Sequence, residues 1–322
     1  MSNLLILLLS AVVATNQPMA ASSRVPKTTR APAKVAAPND SVEKAYGKLL
    51  AEDDAAQKEA DKWIRDADAF TAKGGGLPRA ALTAKIEQRF ELVRKSYMDF
   101  LARHPDHTRA RLAYGSFLND IQEEEKAVVQ WEKARELDPT NPAAWNNLAN
   151  HYGHRGPVKK AFEYYTKAIE LDPEEPVYLQ NLATTTYLFR KDAKEFYQID
   201  EQQVFDRALD LYRKALQLDP NNFPLATDLA QSYYGIKPLR TDDAIAAWNK
   251  ALKVASDDIE REGVYLHLAR VELNSGLYEE ARKHLNMGTN AMYTALKNRL
   301  LKNLTEKEKG TNAPSAASAQ QK

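Results

Sequence analysis

Four segments of the chain repeat one pattern, in which an aromatic residue is followed three positions later by alanine. The segments are WEKARELDPT at 131, YTKAIELDPE at 165, YRKALQLDPN at 212 and WNKALKVASD at 248. Pro139 and Pro173 lie 34 residues apart, and Pro105 precedes Pro139 by the same interval. A period of 34 residues is typical of paired helices, because each pair buries its apolar face only by stacking on the next pair. The repeat therefore predicts an all-α chain.

This repeat resembles the tetratricopeptide-repeat (TPR) family. The resemblance is strongest in residues 142–175, where the matching residues are Trp145, Leu148, Ala149, Tyr152, Gly156, Ala161, Tyr165, Ala168 and Pro173. It implies a right-handed α-solenoid of TPR helix pairs, with about five repeats over 108–288. Their expected bounds are 108–141, 142–175, 176–222 with an insertion, 223–258 and 262–288.

Helices are also predicted on both sides of the repeats. Residues 41–107 are expected to form an N-terminal helical hairpin, a degenerate repeat whose first helix ends at the glycines 74–76. After the repeats, apolar side chains recur every four residues at Met292, Leu296, Leu300 and Leu304. This spacing predicts a C-terminal capping helix over 289–308, which covers the apolar face of the last repeat.

The two ends of the chain differ in composition from the repeats. Residues 1–21 contain an apolar run followed by a small-residue stretch, which together predict a secretory signal peptide. Residues 22–40, rich in alanine, proline and basic residues, and the polar residues 309–322 are predicted to be a disordered linker and tail. We therefore expect an exported protein, either in a bacterial periplasm or secreted. An uncleaved signal that tethers the chain to a membrane is the alternative.

The third repeat is longer than the others. Pro173 and Pro220 lie 47 residues apart, an excess of 13 over the 34-residue period, and the extra residues fall within 189–203. Asp200 and Gln203 have the spacing of a capping box, so a helix is expected to start there. The insertion is predicted to be an enlarged turn at one rim of the solenoid. It offers an alternative, charged contact for a partner through Arg190, Lys191 and Lys194.

No motif in the sequence is typical of catalysis. There is no cysteine, and no nucleophile stands with a base in a recognisable arrangement. The pairs His104/His107 and His151/His154 lack an accompanying carboxylate motif, so we expect them to be solvated or to cap helices. A net charge of +1 gives no reason to expect nucleic acid. We predict that the chain is not an enzyme and uses no cofactor, metal ion or small-molecule substrate.

The family resemblance implies that the first helix of each repeat lines a concave groove. The side chains expected to be exposed there are Asn146, Asn147, Asn150, Gln180, Asn181, Thr184, Thr227, Asp228 and Gln231. All but Asp228 are uncharged groups that hydrogen-bond as a peptide backbone does. We therefore predict a non-catalytic scaffold that binds an extended peptide or a partner subunit in this groove. The alternative is a structural, self-associating envelope-assembly protein whose contacts are the 189–203 insertion or the terminal helices.

Overall fold

The computed structural model describes residues 41–72, 75 and 79–311, which form fourteen α-helices. The chain divides into two compact units, Met1–Pro173 (unit 1) and Glu174–Lys322 (unit 2). The predicted signal peptide over 1–21, the predicted linker over 22–40 and most of the predicted tail, 312–322, lie outside the described residues. None of the described helices is long and apolar enough to cross a membrane. The prediction of an all-α fold is confirmed.

Unit 1 contains six helices in its described part. They are α1 (Ser41–Ala72), α2 (Arg79–Arg103), α3 (Thr108–Asp120), α4 (Glu124–Leu137), α5 (Pro142–Arg155) and α6 (Val158–Leu171). Helices α1 and α2 pack together as the predicted hairpin, and α3/α4 and α5/α6 pack as the first two repeat pairs.

Unit 2 contains eight helices in its described part. They are α7 (Pro176–Leu188), α8 (Arg190–Tyr197), α9 (Glu201–Leu218), α10 (Phe223–Ser232), α11 (Thr241–Val254), α12 (Asp258–Asn274), α13 (Tyr278–Met287) and α14 (Thr294–Thr311). The pairs α7/α9, α10/α11 and α12/α13 pack as repeats. Helix α12 starts before the expected bound of 262, because the Asp257 side chain accepts the Glu260 amide at 2.8 Å and caps it.

Polar side chains set the starts of the first helices in three repeats. Asn141, Glu175 and Asn222 each accept a backbone N–H from the first turn of α5, α7 and α10, at 3.1, 3.2 and 2.9 Å. Each of these helices also has proline in its first turn, where the missing amide hydrogen costs nothing. The helix starts are therefore determined locally by the sequence.

Alanine makes close helix packing possible within each repeat. Ala161 and Ala168 of α6 are completely buried, and Tyr165 between them is only 3% exposed. The methyl groups let neighbouring backbones approach, while the tyrosine ring fills the remaining space.

The hairpin contains one polar group within its apolar stripe. Tyr46, Leu49, Ala56 and Ala60 of α1 are buried, and Asp53 interrupts them. The Tyr97 hydroxyl of α2 donates to the Asp53 carboxylate at 2.6 Å. Burial raises the pKa of Asp53, and the Tyr97 hydrogen bond opposes that shift. The carboxylate is thus tolerated because a buried donor faces it.

The insertion is helical, so the prediction of an enlarged turn over 189–203 is wrong. Residues Arg190–Tyr197 form α8, whose Ala193 is completely buried. Burial of this methyl group against unit 2 stabilises a segment that is too short to be helical in isolation. The predicted capping box is confirmed, because Asp200 and Gln203 exchange both hydrogen bonds at the start of α9.

Helix α14 covers the end of the last repeat. Leu300 and Leu304 are buried against α12 and α13, in a cluster that includes Leu266, Leu273 and Leu285. Met292 is 69% exposed, contrary to the predicted stripe, because it lies in a separate 3-10 turn before α14 begins. The helix continues to Thr311, so residues 309–311 of the predicted tail are helical.

We expect Ala161→Arg to lower the free energy of unfolding by several kcal/mol. The long side chain overpacks the α5/α6 contact and brings an unpaired charge into the interior. Urea unfolding followed by circular dichroism measures the loss. The matched control is Glu163→Arg, at an exposed position of the same helix. Equal free energies of unfolding for the two variants would contradict the assigned packing.

Candidate peptide-binding face

The first helices of the three repeats in unit 2 lie side by side. Gln180 of α7 contacts Asp228 of α10, and the Tyr234 hydroxyl, just after α10, lies 2.9 Å from Nδ1 of His267 in α12. Equivalent positions on the three helices carry polar side chains. We call the surface that these side chains form the first-helix face. Its residues are Asn181 and Thr184 of α7, Asp228 and Gln231 of α10, and His267 and Arg270 of α12.

Part of the predicted groove is occupied by its own hydrogen bonds. The Gln180 amide donates to the Asp228 carboxylate at 2.7 Å, and burial raises the pKa of Asp228. The Thr184 hydroxyl donates to the Gln180 carbonyl at 3.0 Å and lies 2.8 Å from the Tyr212 hydroxyl. Gln180, Thr184 and Asp228 therefore join α7 to its neighbours.

Three other predicted residues lie partly exposed in unit 2: Asn181, Thr227 and Gln231. The Thr227 hydroxyl donates to the Pro224 carbonyl of its own helix at 2.8 Å. The Gln231 side-chain amide makes no hydrogen bond within the described chain, so both its donor and its acceptor are available to a ligand. Gln231 is therefore the amide best placed to meet a peptide, and Asn181 is partly exposed on the neighbouring first helix α7.

His267 and Arg270 belong to the same face but were not among the predicted residues. The His267 ring stacks on Trp248, with 4.3 Å between centroids and 4° between planes. The exposed Arg270 guanidinium lies 4.4 Å from the centre of the Tyr234 ring. Burial, assisted by the Arg270 charge, lowers the pKa of His267 to about 4, so its imidazole is neutral at neutral pH.

A sequence signal for these two residues exists. Leu268–Ala269 of α12 matches Leu182–Ala183 of α7 and Leu229–Ala230 of α10. Counting from that pair puts His267 in the same position as Asn181 and Asp228, and Arg270 in the position of Thr184 and Gln231. The same counting that predicted the central repeats therefore extends to the fifth.

In unit 1 the predicted exposure of Asn146 and Asn147 is wrong. They are 1% and 9% exposed, and Nδ2 of Asn146 lies 3.4 Å from Oδ1 of Asn147. Completely buried alanines on the same helix, Ala144 and Ala149, allow neighbours to approach so closely that little surface is left. Asn150 is partly exposed and accepts the Tyr165 hydroxyl hydrogen at 2.6 Å.

The residues of the alternative rim contact lie on α8. Lys191 and Lys194 are exposed. Arg190 is half-buried, with its guanidinium 5.5 Å from the ring centres of both Tyr187 and Phe205. Only the two lysines thus offer exposed positive charge.

The histidine pairs do not form metal sites in the part of the chain that the structure describes, where no group of potential ligands has the required arrangement. His107 caps α3, since its Nδ1 accepts the Ala110 amide at 3.1 Å. His154 is exposed and His151 is partly exposed, as expected for solvated side chains.

Comparison with known proteins identifies the repeats. Residues 125–176 match the family model described as tetratricopeptide repeat. No curated protein sequence matches significantly. The fold is similar to that of PilW, described as a widely conserved type IV pilus biogenesis factor, at 16% identity with a TM-score of 0.52 over 69% of this chain and 96% of PilW.

Two further structures are similar at lower scores. YrrB, described as a TPR protein with an unusual peptide-binding site, is 15% identical and gives a TM-score of 0.49 over 64% of this chain and 97% of its own. PilF of Pseudomonas aeruginosa is 22% identical and gives 0.48 over 65% and 89%. At these identities the similarity concerns the fold alone. The family match over residues 125–176 and the similarity to PilW confirm the predicted class of TPR helix pairs.

We expect His267 to make unit 2 sensitive to acid. Its folded-state pKa of about 4 lies below its ordinary value of 6.5, so its contribution is complete above pH 6.5 and is lost as the pH falls toward 4. The loss between pH 7.5 and 4.5 is on the order of 2 to 3 kcal/mol, from about 1.4 kcal/mol per pKa unit. Urea unfolding at both pH values measures it. His267→Gln should remove this loss, whereas the exposed control His154→Gln should retain it; an unchanged pH dependence in His267→Gln would refute the assignment.

Proposed function

We propose that this chain, which matches the tetratricopeptide-repeat family over residues 125–176, is a non-catalytic scaffold that binds an extended peptide segment of a partner protein on the first-helix face. The TPR fold is generally that of a protein-interaction module. The observation that carries the finer proposal is the recurrence of partly exposed polar side chains at equivalent positions of α7, α10 and α12.

Amide side chains suit the recognition of main chain. Each amide donates and accepts, as the alternating N–H and C=O groups of an extended peptide require. Asn181 and Gln231 lie on different helices, so they hydrogen-bond separate stretches of one peptide. Backbone recognition of this kind depends little on the partner's side-chain charge.

The spacing of the helices sets the length of the peptide. Packed helices lie about 8–10 Å apart, so three first helices span on the order of 20 Å. An extended chain rises about 3.3 Å per residue, so about seven residues cross the face. At the α12 end of the face, the Arg270 guanidinium lies over the Tyr234 ring. This positive charge suits a carboxylate near one end of the peptide.

We further propose that the chain is exported to the periplasm or secreted, on the basis of the composition of residues 1–21. A mature chain starting near Ala21 or Ser22 is the expected result of N-terminal sequencing after expression in a bacterium. A membrane-bound product that starts at Met1 or Ser2 would instead establish an uncleaved tether.

The binding face predicts the effect of a double substitution. We expect Asn181→Ala with Gln231→Ala to weaken binding of extended peptides between tenfold and several hundredfold, since each lost hydrogen bond costs on the order of 1 kcal/mol and an unpaired buried group up to about 3. Peptides of ten residues selected by phage display on the wild-type chain serve as probes. Fluorescence anisotropy measures their affinities, and circular dichroism verifies that helix content is unchanged.

The matched control removes the same two groups from second helices. Gln217 of α9 and Asn249 of α11 are exposed, so Gln217→Ala with Asn249→Ala should bind as the wild type does. The fold-loss in the first variant should be the same at low and high salt, because neutral groups are removed. Equal binding by both variants would refute the proposal that peptides bind on the first-helix face.

Light scattering tests the alternative of self-association, which requires an oligomer that depends on concentration.

A further inference from the structure

The inserted helix α8 is held firmly on unit 2. Ala193 is completely buried, and the Arg190 guanidinium donates to the Tyr187 carbonyl at 3.0 Å and lies 5.5 Å from the centres of the Tyr187 and Phe205 rings. At the other end, the Arg207 guanidinium lies 3.9 Å from the centre of the Tyr197 ring. The insertion is thus a packed helix, and its backbone determines which side chains face outward.

A half-open cavity of about 430 Å³ lies where α7 ends and where α8 and α9 begin. Its lining combines an apolar part with a charged part. The lining residues are Leu188, Phe189, Arg190, Lys191, Asp192, Lys194 and Glu201. Leu188 is 56% exposed, so a large apolar side chain is open to solvent at this cavity. The volume falls within the range of about 300–1,000 Å³ in which small ligands or a few side chains are bound.

The charges around this cavity are unbalanced. Arg190 lies 3.5 Å from the Glu201 carboxylate, so these two groups largely offset each other. Lys191 and Lys194 form no ion pair with any residue that the structure describes, and their spacing of three places them on one side of α8. Asp192 offsets one of the two, which leaves an excess of one positive charge among the residues that line the cavity.

We propose that this cavity is a second binding site, which takes an acidic peptide segment with an apolar side chain from a partner protein. The apolar side chain enters the cavity against Leu188 and Phe189, and the carboxylates of the segment pair with Lys191 and Lys194. Burial of the exposed leucine supplies affinity, and the two ammonium groups supply selectivity for acidic sequence.

A peptide fits this surface better than a membrane does. Two lysines contribute only about 1 kcal/mol each at an anionic bilayer, which is too little for stable attachment. The cavity is concave and also carries Asp192 and Glu201, which anionic headgroups would repel. A peptide places its carboxylates selectively at the lysines.

The test uses the full chain and a fluorescein-labelled peptide with a central Leu-Phe pair and two glutamates on each side. We expect the peptide to bind and its glutamine analogue to bind about tenfold more weakly, with the difference shrinking as salt rises. Lys191→Glu with Lys194→Glu should weaken binding of the acidic peptide by about tenfold or more. Arginine at both positions should preserve it.

Matched controls exist on the same unit. Lys214 and Lys253 are exposed on α9 and α11, so Lys214→Glu with Lys253→Glu makes the same change in net charge and should bind normally. Leu188→Ala should weaken binding about fivefold. Leu218→Ala, at a leucine that is 43% exposed on α9, should not. Circular dichroism excludes loss of helix as the cause.

The outcomes separate this site from the first-helix face. Binding of the acidic peptide should survive Asn181→Ala with Gln231→Ala, because those residues belong to the other surface. The proposal is overturned if wild type binds the acidic peptide and its glutamine analogue equally. It is also overturned if Lys191→Glu with Lys194→Glu loses no more binding than the control Lys214→Glu with Lys253→Glu. It is also overturned if phosphatidylserine vesicles bind the wild type but not Lys191→Glu with Lys194→Glu, while the acidic peptide binds neither.

Discussion

Close contact between helices through buried alanine is the constraint on which the rest of the structure depends. Ala161 and Ala168 of α6 are completely buried, as are Ala208 and Ala215 of α9. A methyl group lets two backbones approach closely, and the neighbouring aromatic rings fill the gaps that remain. Within unit 2 the Leu-Ala pair recurs at equivalent positions of α7, α10 and α12, and the polar residues that flank this pair form the first-helix face.

The same tight packing decides which amides are available for binding. Asn146 and Asn147 of α5 lie in the interior, where an amide must find a partner or incur a desolvation cost. Asn181 occupies in unit 2 the repeat position that Asn147 occupies in unit 1, yet Asn181 remains partly exposed. Equal position in the repeat therefore does not imply equal access. The difference arises from the packing around each helix.

Unit 2 carries two surfaces of different physical character. On the first-helix face the amides Asn181 and Gln231 are neutral, so their interactions are short-ranged and little affected by salt; the Arg270 charge lies at one end of the face. The cavity beside α8 combines an exposed leucine with two lysines that have no ion-pair partner in the described chain, so charge contributes to recognition there. A scaffold with two such surfaces can engage two segments of one partner, and linked binding raises the effective affinity of both.

The sequence by itself determined the all-α class, the repeat phase and the helix starts. These depend on local chemistry: a capping side chain such as Asn141, a proline in the first turn, and alanine at a 34-residue period. The positions of His267 and Arg270 were equally readable from the phase of Leu268–Ala269. Only the tertiary structure decided how exposed each side chain is, because exposure depends on neighbours that are distant in sequence.

Tertiary packing also made residues 190–197 a helix. Eight residues are too few to be helical alone, and the buried Ala193 supplies the stabilisation that local propensity lacks.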